Sequence, residues 1–304
     1  MYLEHFGLKE MPFALTPNTA FLYEHAGHRE AVNVLMVALR GGEGFIKITG
    51  EVGTGKTLLC RALLNALGEE FFSAYIPNPL LTPTGLLFAL AEELGLTPPP
   101  ETDNHQLIKQ ISARLMELNA GEKKVVLLLD EAQALPPETL EAVRLLGNLE
   151  TETAKLLQVV LFGQPELDGV LAQSSLRQLR QRFSFSYELR ALDRLKLEGF
   201  IMYRLAVAGC DRQDLFTPRA LEALHKGSRG IPRLVSILTH KALMAAFGRG
   251  DQVIKRHHVR HAVKDTEDAG PARRARGSGV GSRFRSLKAA VAGFGLRHSW
   301  ERTQ

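Results

Sequence analysis

Residues 50–57 read GEVGTGKT, in which a glycine is followed by four residues and then by Gly-Lys-Thr. The apolar stretch FIKIT at 45–49 comes directly before it, and an amphipathic helical pattern covers 56–67 directly after it. Glycines let a tight loop bring its backbone N–H groups close to a ligand, and the following helix points its positive N-terminal end at the same place. The segment therefore constrains the chain to a strand, a loop and a helix arranged around an anion.

The loop matches the P-loop pattern, which predicts a nucleoside triphosphate as the anion. Lys56 is expected to reach the β- and γ-phosphates, and Thr57 to place its hydroxyl on Mg²⁺. The whole loop is predicted to bind the nucleotide through the residues Gly50, Glu51, Val52, Gly53, Thr54, Gly55, Lys56, Thr57 and Leu58.

A second segment, VVLLLDEAQAL at 125–135, places two carboxylates after an apolar strand. Asp130 would emerge at the C-terminal edge of the sheet, where open α/β sheets bind ligands, and is predicted to hold Mg²⁺ through water. Glu131 is predicted to be the general base that polarises the attacking water. The alternative is that both carboxylates serve only as an N-terminal charge pair for a helix at 137–146.

The letters DEAQ also resemble a helicase box. A helicase of that type needs a second α/β domain, whereas the sequence after Leu192 has only helical patterns. The segment is therefore interpreted as a nucleotide-binding strand, with a local role for Gln133.

Between Phe45 and Arg190, short apolar runs alternate with helical patterns, which indicates an α/β domain with a mostly parallel sheet. Strands are predicted at 45–49, 71–76, 125–129, 156–162 and 183–189. Helices are predicted between them at 56–67, 84–94, 104–118 and 137–146, and Asp103 or Asn104 can cap the third of these. After Leu192, helices at 194–210, 217–228, 231–248 and 256–266 predict a small all-helical domain.

One strand separates the loop helix from the Asp130 strand. An additional strand between the two nucleotide-binding strands gives an expected sheet order of 5-1-4-3-2. That order, with a glutamate after the aspartate, favours ATPases over small GTPases, and the sequence contains no guanine-reading NKxD.

The charge of the chain is unevenly distributed. The chain has 304 residues and a formal net charge of +5, but residues 269–304 contain eight Lys and Arg and one acid. The rest of the chain is thus close to neutral, and the Gly, Ser and Arg content of 269–304 predicts a flexible basic tail. Composition therefore gives no support for a nucleic-acid-binding body.

Two further features of composition bear on location. Cys60 and Cys210 lie far apart in apolar helical patterns, so they are interpreted as buried thiols in a reducing compartment. No secretory signal is present, and no run approaches the roughly 18 apolar residues that span a bilayer. A cytoplasmic location is expected, with peripheral association at the inner membrane through partners.

Eight segments extend these motifs over residues 1 to about 268. They are YLEHFGLKEMPFALTPN (2–18), HREAV (28–32), TGEVGTGKT (49–57), LLLDEAQAL (127–135), LFGQPEL (161–167), LRQLRQR (176–182), MYRLAVAG (202–209) and GIPRLVSIL (230–238). Through them the chain resembles the AAA+ ATPases, and among these the general secretion pathway protein A family, in particular its members in MSHA pilus biogenesis.

This resemblance implies roles for further residues. Gln164 takes the sensor-1 position and would orient the water, although it is also a plausible turn residue before Pro165. Arg233 matches sensor 2 and would reach the phosphates, with an ordinary surface arginine as the alternative. The arginine finger, which completes the site of a neighbouring subunit, would be one of Arg177, Arg180 and Arg182, with Arg182 favoured and Arg180 next.

The resemblance also implies a division of the chain. An AAA+ three-layer α/β domain is expected at 31–192, a helical lid at 193–268 and the basic tail at 269–304. The N-terminal segment 1–30 is expected to pack near the nucleotide, with Phe13 either against the adenine or in an ordinary packing role.

The implied function is an oligomer-dependent ATPase that uses ATP and Mg²⁺. It would assist assembly of a type IV, MSHA-like pilus or a type II secretion machine from the cytoplasmic face, with itself and inner-membrane assembly proteins as partners. Secretion-pathway members carry a transmembrane helix and a periplasmic region after the ATPase. This sequence lacks both, which favours the pilus type.

Three alternatives stay open at this point. The tail, with Phe284, Phe294 and Trp300, is either a weak membrane contact or a solvated end. The protein could instead be an AAA+ regulator acting on DNA, as in transposition, although nucleic acid is not the favoured partner. It could also be a switch that binds ATP and barely hydrolyses it.

Overall fold

Five parallel strands form a sheet at the centre of the computed structural model, which describes residues 2–14, 26–77, 80–151 and 155–270. The strands are β1 (Phe45–Thr49), β2 (Phe71–Ile76), β3 (Lys124–Leu129), β4 (Leu157–Gly163) and β5 (Phe185–Glu188). Their order across the sheet is β2-β3-β4-β1-β5, and every neighbouring pair is parallel. The predicted order 5-1-4-3-2 is confirmed, because it is the same order counted from the other edge.

Apolar side chains alternate between the two faces of the sheet, as the period of a strand requires. In β3, Val125, Leu127 and Leu129 belong to the core on one face, whereas Val126 and Leu128 belong to the core on the other. The helices that cover the first face are α4 (Pro83–Glu93), α5 (Asn104–Ala120), α6 (Pro137–Leu146), α7 (Glu166–Leu171) and α8 (Arg177–Arg182). The other face packs against α2 (Ala26–Arg40) and α3 (Lys56–Ala66), which confirms the predicted three-layer α/β fold.

A third core lies among the helices that follow the sheet, and it includes the N-terminus. Its helices are α1 (Tyr2–Phe6), α9 (Arg194–Val207), α10 (Pro218–Ser228), α11 (Pro232–Phe247) and α12 (Arg256–Lys264). Tyr2, Phe6 and Phe13 are all buried in this core. The Tyr2 hydroxyl lies 2.9 Å from Nδ1 of His240 in α11, so the start of the chain packs on helices near its other end.

Most predicted elements match the observed bounds to within one or two residues, and two of the differences have a visible physical cause. Helix α9, predicted to reach Cys210, ends at Val207 because Gly209 adopts a φ of +85° and turns the chain, with the Cys210 N–H donating back to the Leu205 carbonyl at 2.9 Å. Strand β5, predicted from 183, begins at Phe185, since it lies at the edge of the sheet and pairs only with β1.

The described residues up to Gly270 belong to one compact unit. The predicted flexible tail, with its Phe284, Phe294 and Trp300, lies outside the described residues. The predicted boundary at Leu192 between the AAA+ domain and the lid stays a prediction. No helix in the described part of the chain has both the length and the apolar character needed to cross a membrane.

Candidate nucleotide site

The loop at 50–57 joins the end of β1 to the start of α3, as the sequence predicts. Gly53 and Gly55 have φ values of +83° and +101°, in the region that favours glycine. Gly55 is the N-cap of α3, and no side chain caps its first N–H groups. The first turn of α3 also holds no acidic residue, so its N-terminus can accept an anion.

Lys56 crosses the loop and is buried, with 5% of its surface exposed. Its Nζ donates to the carbonyls of Gly50 at 2.9 Å and of Glu51 at 3.2 Å. Burial lowers the pKa of Lys56, and the nearby carboxylates of Glu131 and Asp130 oppose that shift. The ammonium group is thus held within the loop and faces the acidic end of β3.

Asp130 follows β3 at the C-terminal edge of the sheet and is 2% exposed. Burial raises the pKa of Asp130, while hydrogen bonds from the Thr57 side chain and from the Glu131 N–H, at 2.9 Å from Asp130 Oδ1, act against the rise. A carboxylate and a hydroxyl are the oxygen ligands that Mg²⁺ prefers, and a divalent cation would offset the cost of burying this carboxylate. Thr57 and Asp130 therefore fit Mg²⁺.

Glu131 lies one residue further on, with a left-handed backbone conformation at φ 52° and ψ 37°. Its Oε2 accepts hydrogen bonds from Nε2 of Gln133 at 2.5 Å and from Nε2 of Gln164 at 3.1 Å. Helix α6 has Pro136 at its N-cap and no side-chain cap, so neither Asp130 nor Glu131 caps that helix. Glu131 and Gln164 therefore meet, although 33 positions separate them in sequence.

Gln164 is also a turn residue, which was the alternative role considered for it in the sequence. Its carbonyl accepts the Leu167 N–H at 2.9 Å, which begins the turn into α7. The backbone N–H of Gln164 donates to Oε1 of Gln133 at 2.9 Å. Gln133, to which the sequence assigned only a local role, thus contacts both Glu131 and Gln164. The intervening strand and helix hide this contact from any local pattern.

Arg233 lies at the start of α11, directly on the loop. Its backbone N–H donates to the Gly53 carbonyl at 3.2 Å, and a Cβ at Gly53 would stand 2.7 Å from Arg233 Cβ. The Arg233 side chain is exposed, and it makes no hydrogen bond or ion pair with the described part of the chain. Nearby, the Gly230 carbonyl accepts the Leu192 N–H at 2.8 Å, which fixes the segment before α11 against the chain that leaves β5.

The three candidate finger arginines lie on α8, before β5, and all are exposed. Nη1 of Arg182 donates to the Gly147 carbonyl at 3.2 Å, and its guanidinium lies 6.0 Å from the centre of the Phe45 ring. Phe45 begins β1, whereas the nucleotide loop follows the other end of that strand. Arg177 and Arg180 make no hydrogen bond or ion pair within the described residues. The structure therefore does not bring these arginines to the loop of their own chain.

The structure places two further residues, of which His28 was given no role from the sequence and Phe13 was left with two alternatives. The imidazole of His28 in α2 is buried against the loop, since a Cβ at Gly55 would stand 3.1 Å from His28 Nε2. Phe13 is 2% exposed and packs in the core of the C-terminal helices, with the Arg204 guanidinium 6.0 Å from its ring centre. The N-terminal residues up to Ala14 thus contact these helices, while residues 15–25 lie outside the described part.

The strand order and the loop at the end of β1 define the class of this protein. Its fold is that of the AAA+ P-loop ATPases, and residues 39–171 match the family model described as an AAA domain. ORC2 of Aeropyrum pernix aligns with a TM-score of 0.60 at 18% identity, over 85% of this chain and 72% of that one. Cdc6p of Pyrobaculum aerophilum gives 0.62 at 17% identity, over 84% and 70%. The RuvB Holliday junction branch migration motor of Thermotoga maritima gives 0.51 at 19% identity, over 78% and 68%.

In sequence, the chain is similar to the General secretion pathway protein A of Aeromonas hydrophila. The two are 47% identical over 254 residues, which is 84% of this chain. The same alignment covers 46% of the Aeromonas protein, so the chain spans about half the length of this relative.

Proposed function

We propose that this protein binds ATP with Mg²⁺ and hydrolyses it, with Glu131 as the general base. The observation that carries the proposal is the position of the Glu131 carboxylate. It follows the strand that ends beside the loop, it acts on Lys56 electrostatically, and two glutamine amides hold it. A carboxylate fixed beside a phosphate-binding loop is the arrangement that in-line attack by water requires.

In this mechanism the backbone of residues 50–58 cradles the phosphates, and Lys56 exchanges its loop carbonyls for β- and γ-phosphate oxygens. Thr57 and Asp130 would hold Mg²⁺, and the bound ion would supply positive charge against the phosphate oxygens. Glu131 takes the proton from the attacking water on a carboxylate oxygen, and Gln164 orients that water. Arg233 reaches the phosphates from the start of α11.

The proposal is tested by phosphate release from the wild type and two variants. Glu131→Gln should lose at least about 100-fold in turnover while it still binds ATP, because only the base is removed. Lys56→Ala should lose ATP binding as well. Glu222→Gln on α10, which removes an equally charged group from an exposed ion pair with Lys226, is the matched control and should behave as the wild type. Wild-type turnover in Glu131→Gln would contradict the role of Glu131, and binding without turnover in the wild type would favour the switch alternative.

We propose further that the ATPase works as a homo-oligomer, in which one of the α8 arginines enters the site of the next subunit. The exposure of Arg177, Arg180 and Arg182, and their distance in the fold from the loop of their own chain, support an action between subunits. Arg182 stays a candidate, but one of its nitrogens is already engaged by Gly147. Arg180 is free of such a bond among the described residues and is the first to test.

The cellular process that we propose is assembly of a type IV, MSHA-like pilus or a type II secretion machine, at the cytoplasmic face of the inner membrane. The support is the 47% identity to a general secretion pathway protein A over 84% of the chain. In the native host, a deletion strain should regain surface pili or secreted protein with the wild-type gene and not with Glu131→Gln. Normal pili and normal secretion in the deletion strain would contradict this proposal but would not affect the proposal of ATPase activity.

A regulator acting on DNA is the second candidate, and the charge of residues 269–304 is the observation that favours it. Filter binding of the full chain and of a chain ending at residue 268 to duplex DNA, across salt concentrations, separates the two candidates. Tight binding that needs residues 269–304 and falls steeply with salt would favour the DNA candidate.

A further inference from the structure

One side chain connects the general base to the sensor-1 segment. Gln133 donates from Nε2 to Glu131 Oε2 at 2.5 Å and accepts at Oε1 from the Gln164 N–H at 2.9 Å. Gln164 closes the network with its own Nε2, which lies 3.1 Å from the same Glu131 oxygen. Three hydrogen bonds thus join residues from two different strand ends, β3 and β4.

The orientation of the Gln133 amide is fixed by its partners. A backbone N–H can only donate, so the atom that faces Gln164 must be the amide oxygen. The amide nitrogen then faces the carboxylate, where only a donor is favourable. Each end of Gln133 therefore has the partner that its chemistry requires, and no other uncharged side chain of this length supplies both a donor and an acceptor.

We infer that Gln133 is the positioning residue of this ATPase. It holds Oε2 of Glu131, so that Oε1 of Glu131 faces the attacking water, and it keeps Glu131 beside Gln164. This inference rests on the ATPase function proposed above. It assigns to the last letter of DEAQ a role in catalysis that acts through Glu131.

The backbone around Glu131 shows why an anchor is needed. The residue has a left-handed conformation, and residues Ala132–Ala134 that follow form a single 3₁₀ turn, so no regular helix or strand restrains its side chain. Oε2 accepts two amide donors, whereas Oε1 has no hydrogen-bond partner in the described part of the chain. A carboxylate held by one oxygen presents the other in a defined direction.

Gly163, at the end of β4, leaves room for the hydrogen bond between Gln133 and the Gln164 backbone. A Cβ at Gly163 would stand 3.3 Å from Gln133 Oε1 and 2.7 Å from Leu167 Cδ2. Glycine at this position lets the Gln133 amide approach the backbone closely enough to bind the Gln164 N–H. The Gly-Gln pair of LFGQPEL and the final glutamine of DEAQ thus form one structural unit.

Two variants of the full-length protein separate the two ends of the amide. Gln133→Met keeps the length of the side chain and removes both hydrogen bonds. Gln133→Glu keeps an oxygen for the Gln164 N–H but replaces the donor to Glu131 with a second carboxylate. Both should lower kcat by about 10- to 100-fold with little change in KM for ATP, because a small displacement of a reacting group costs rate more than binding. The melting temperature, with and without ATP, reports whether each variant is folded.

A double-mutant cycle with Glu131→Gln decides whether Gln133 acts through the base. If it does, Gln133→Met should cause no further loss of single-turnover rate in the Glu131→Gln background. A further loss of similar size there, or a parallel loss of ATP binding and melting temperature, would show a general structural role and overturn the inference.

Failure of this inference is distinct from failure of the proposed function. If the wild type turns over ATP, Glu131→Gln does not, and both Gln133 variants keep the wild-type kcat, only the positioning role is overturned. If the folded wild type does not hydrolyse ATP in any oligomeric state, both proposals fall.

Discussion

At the level of single residues, the nucleotide site depends on backbone conformations that only glycine adopts cheaply. Gly53 combines a φ of +83° with a carbonyl that binds the Arg233 N–H, so it serves both the loop and the contact of α11 with the loop. The spacing of GEVGTGKT predicts the first role. The second depends on a residue 180 positions later and could not be predicted from the loop.

Gly53→Ala tests this double role. The added Cβ would stand 2.7 Å from Arg233 Cβ in a conformation that is strained for alanine, so the free energy of unfolding should fall by about 1 to 3 kcal/mol. ATP affinity should fall with it. Gly68→Ala is the matched control, because its Cβ would meet nothing within 4 Å, and its effect should be within about 0.5 kcal/mol. Urea unfolding of both variants is the measurement, and equal effects would contradict the argument.

Gln133 shows the limit of sequence reasoning at this scale. Asp130 and Glu131 could be assigned because they directly follow a strand that the apolar run VVLLL predicts. The partner of Gln133 is the backbone of residue 164, and it becomes a neighbour only because β3 and β4 lie side by side. Pairing of strands is a property of the whole sheet, so a local pattern cannot reveal which polar groups it joins.

At the level of elements, sequence patterns predicted the five strands and eight of the helices in the described part of the chain. Strands β1 and β2 and helix α6 have the predicted ends, since turn residues or proline bound their apolar patterns. Helices α2, α7 and α8 were not predicted, and nor was the five-residue helix α1, which is too short to show a helical period. It forms through burial of Tyr2 and Phe6 against distant helices.

The start of α5 was left open between two capping residues, and the structure selects Asp103. Its Oδ1 accepts the Gln106 N–H at 2.9 Å. Asp103→Ala should therefore lower the free energy of unfolding by about 1 kcal/mol. Asn104→Ala, one residue later at an exposed position, should change it by about 0.5 kcal/mol or less. Thermal or urea unfolding compares the two, and a larger effect for Asn104→Ala would reverse the assignment.

At the level of the whole molecule, stability should depend on pH through His258, which is buried, and His240, which is half-buried, both on the C-terminal helices. His258 is buried, with Nε2 3.1 Å from Asp251 Oδ2 and Nδ1 accepting the Lys255 N–H at 3.1 Å. Burial is the largest cause that lowers the pKa of His258 below its ordinary value of 6.5, and the charge of His257 lowers it further. Asp251 opposes the shift. Burial also lowers the pKa of His240.

The direction in which stability changes with pH follows from the number of protons that each state binds. Between the lowered folded-state pKa and 6.5, the unfolded chain binds more protons, so stability is complete above pH 6.5 and is lost as the pH falls below it. Urea unfolding from pH 7.5 down to about pH 5 should show this decline. His258→Gln should flatten it, whereas His105→Gln, at an exposed position of α5, should not. An unchanged slope in His258→Gln would exclude this histidine as a source.

The proposed action between subunits also belongs to this scale. Arg180→Ala should bind ATP as the wild type does and lose turnover, because the cation that it supplies serves a neighbour's transition state. Lys56→Ala cannot bind ATP but still carries Arg180. A mixture of the two inactive variants should therefore recover phosphate release, and Arg177→Ala and Arg182→Ala can be paired in the same way. No recovery from any pairing would argue against an arginine that acts between subunits.

The burial of Tyr2, Phe6 and Phe13 among α9 to α12 has a consequence for how the chain matures. These three residues precede the sheet in sequence, whereas α9 to α12 follow it, so this core can form only after all five strands and α12 have been synthesised. A fragment made of residues 193–268 alone would leave the apolar surface under these three aromatic rings open to water. We therefore expect such a fragment to aggregate on its own, and to regain solubility when a chain that ends at Leu192 is made in the same cell.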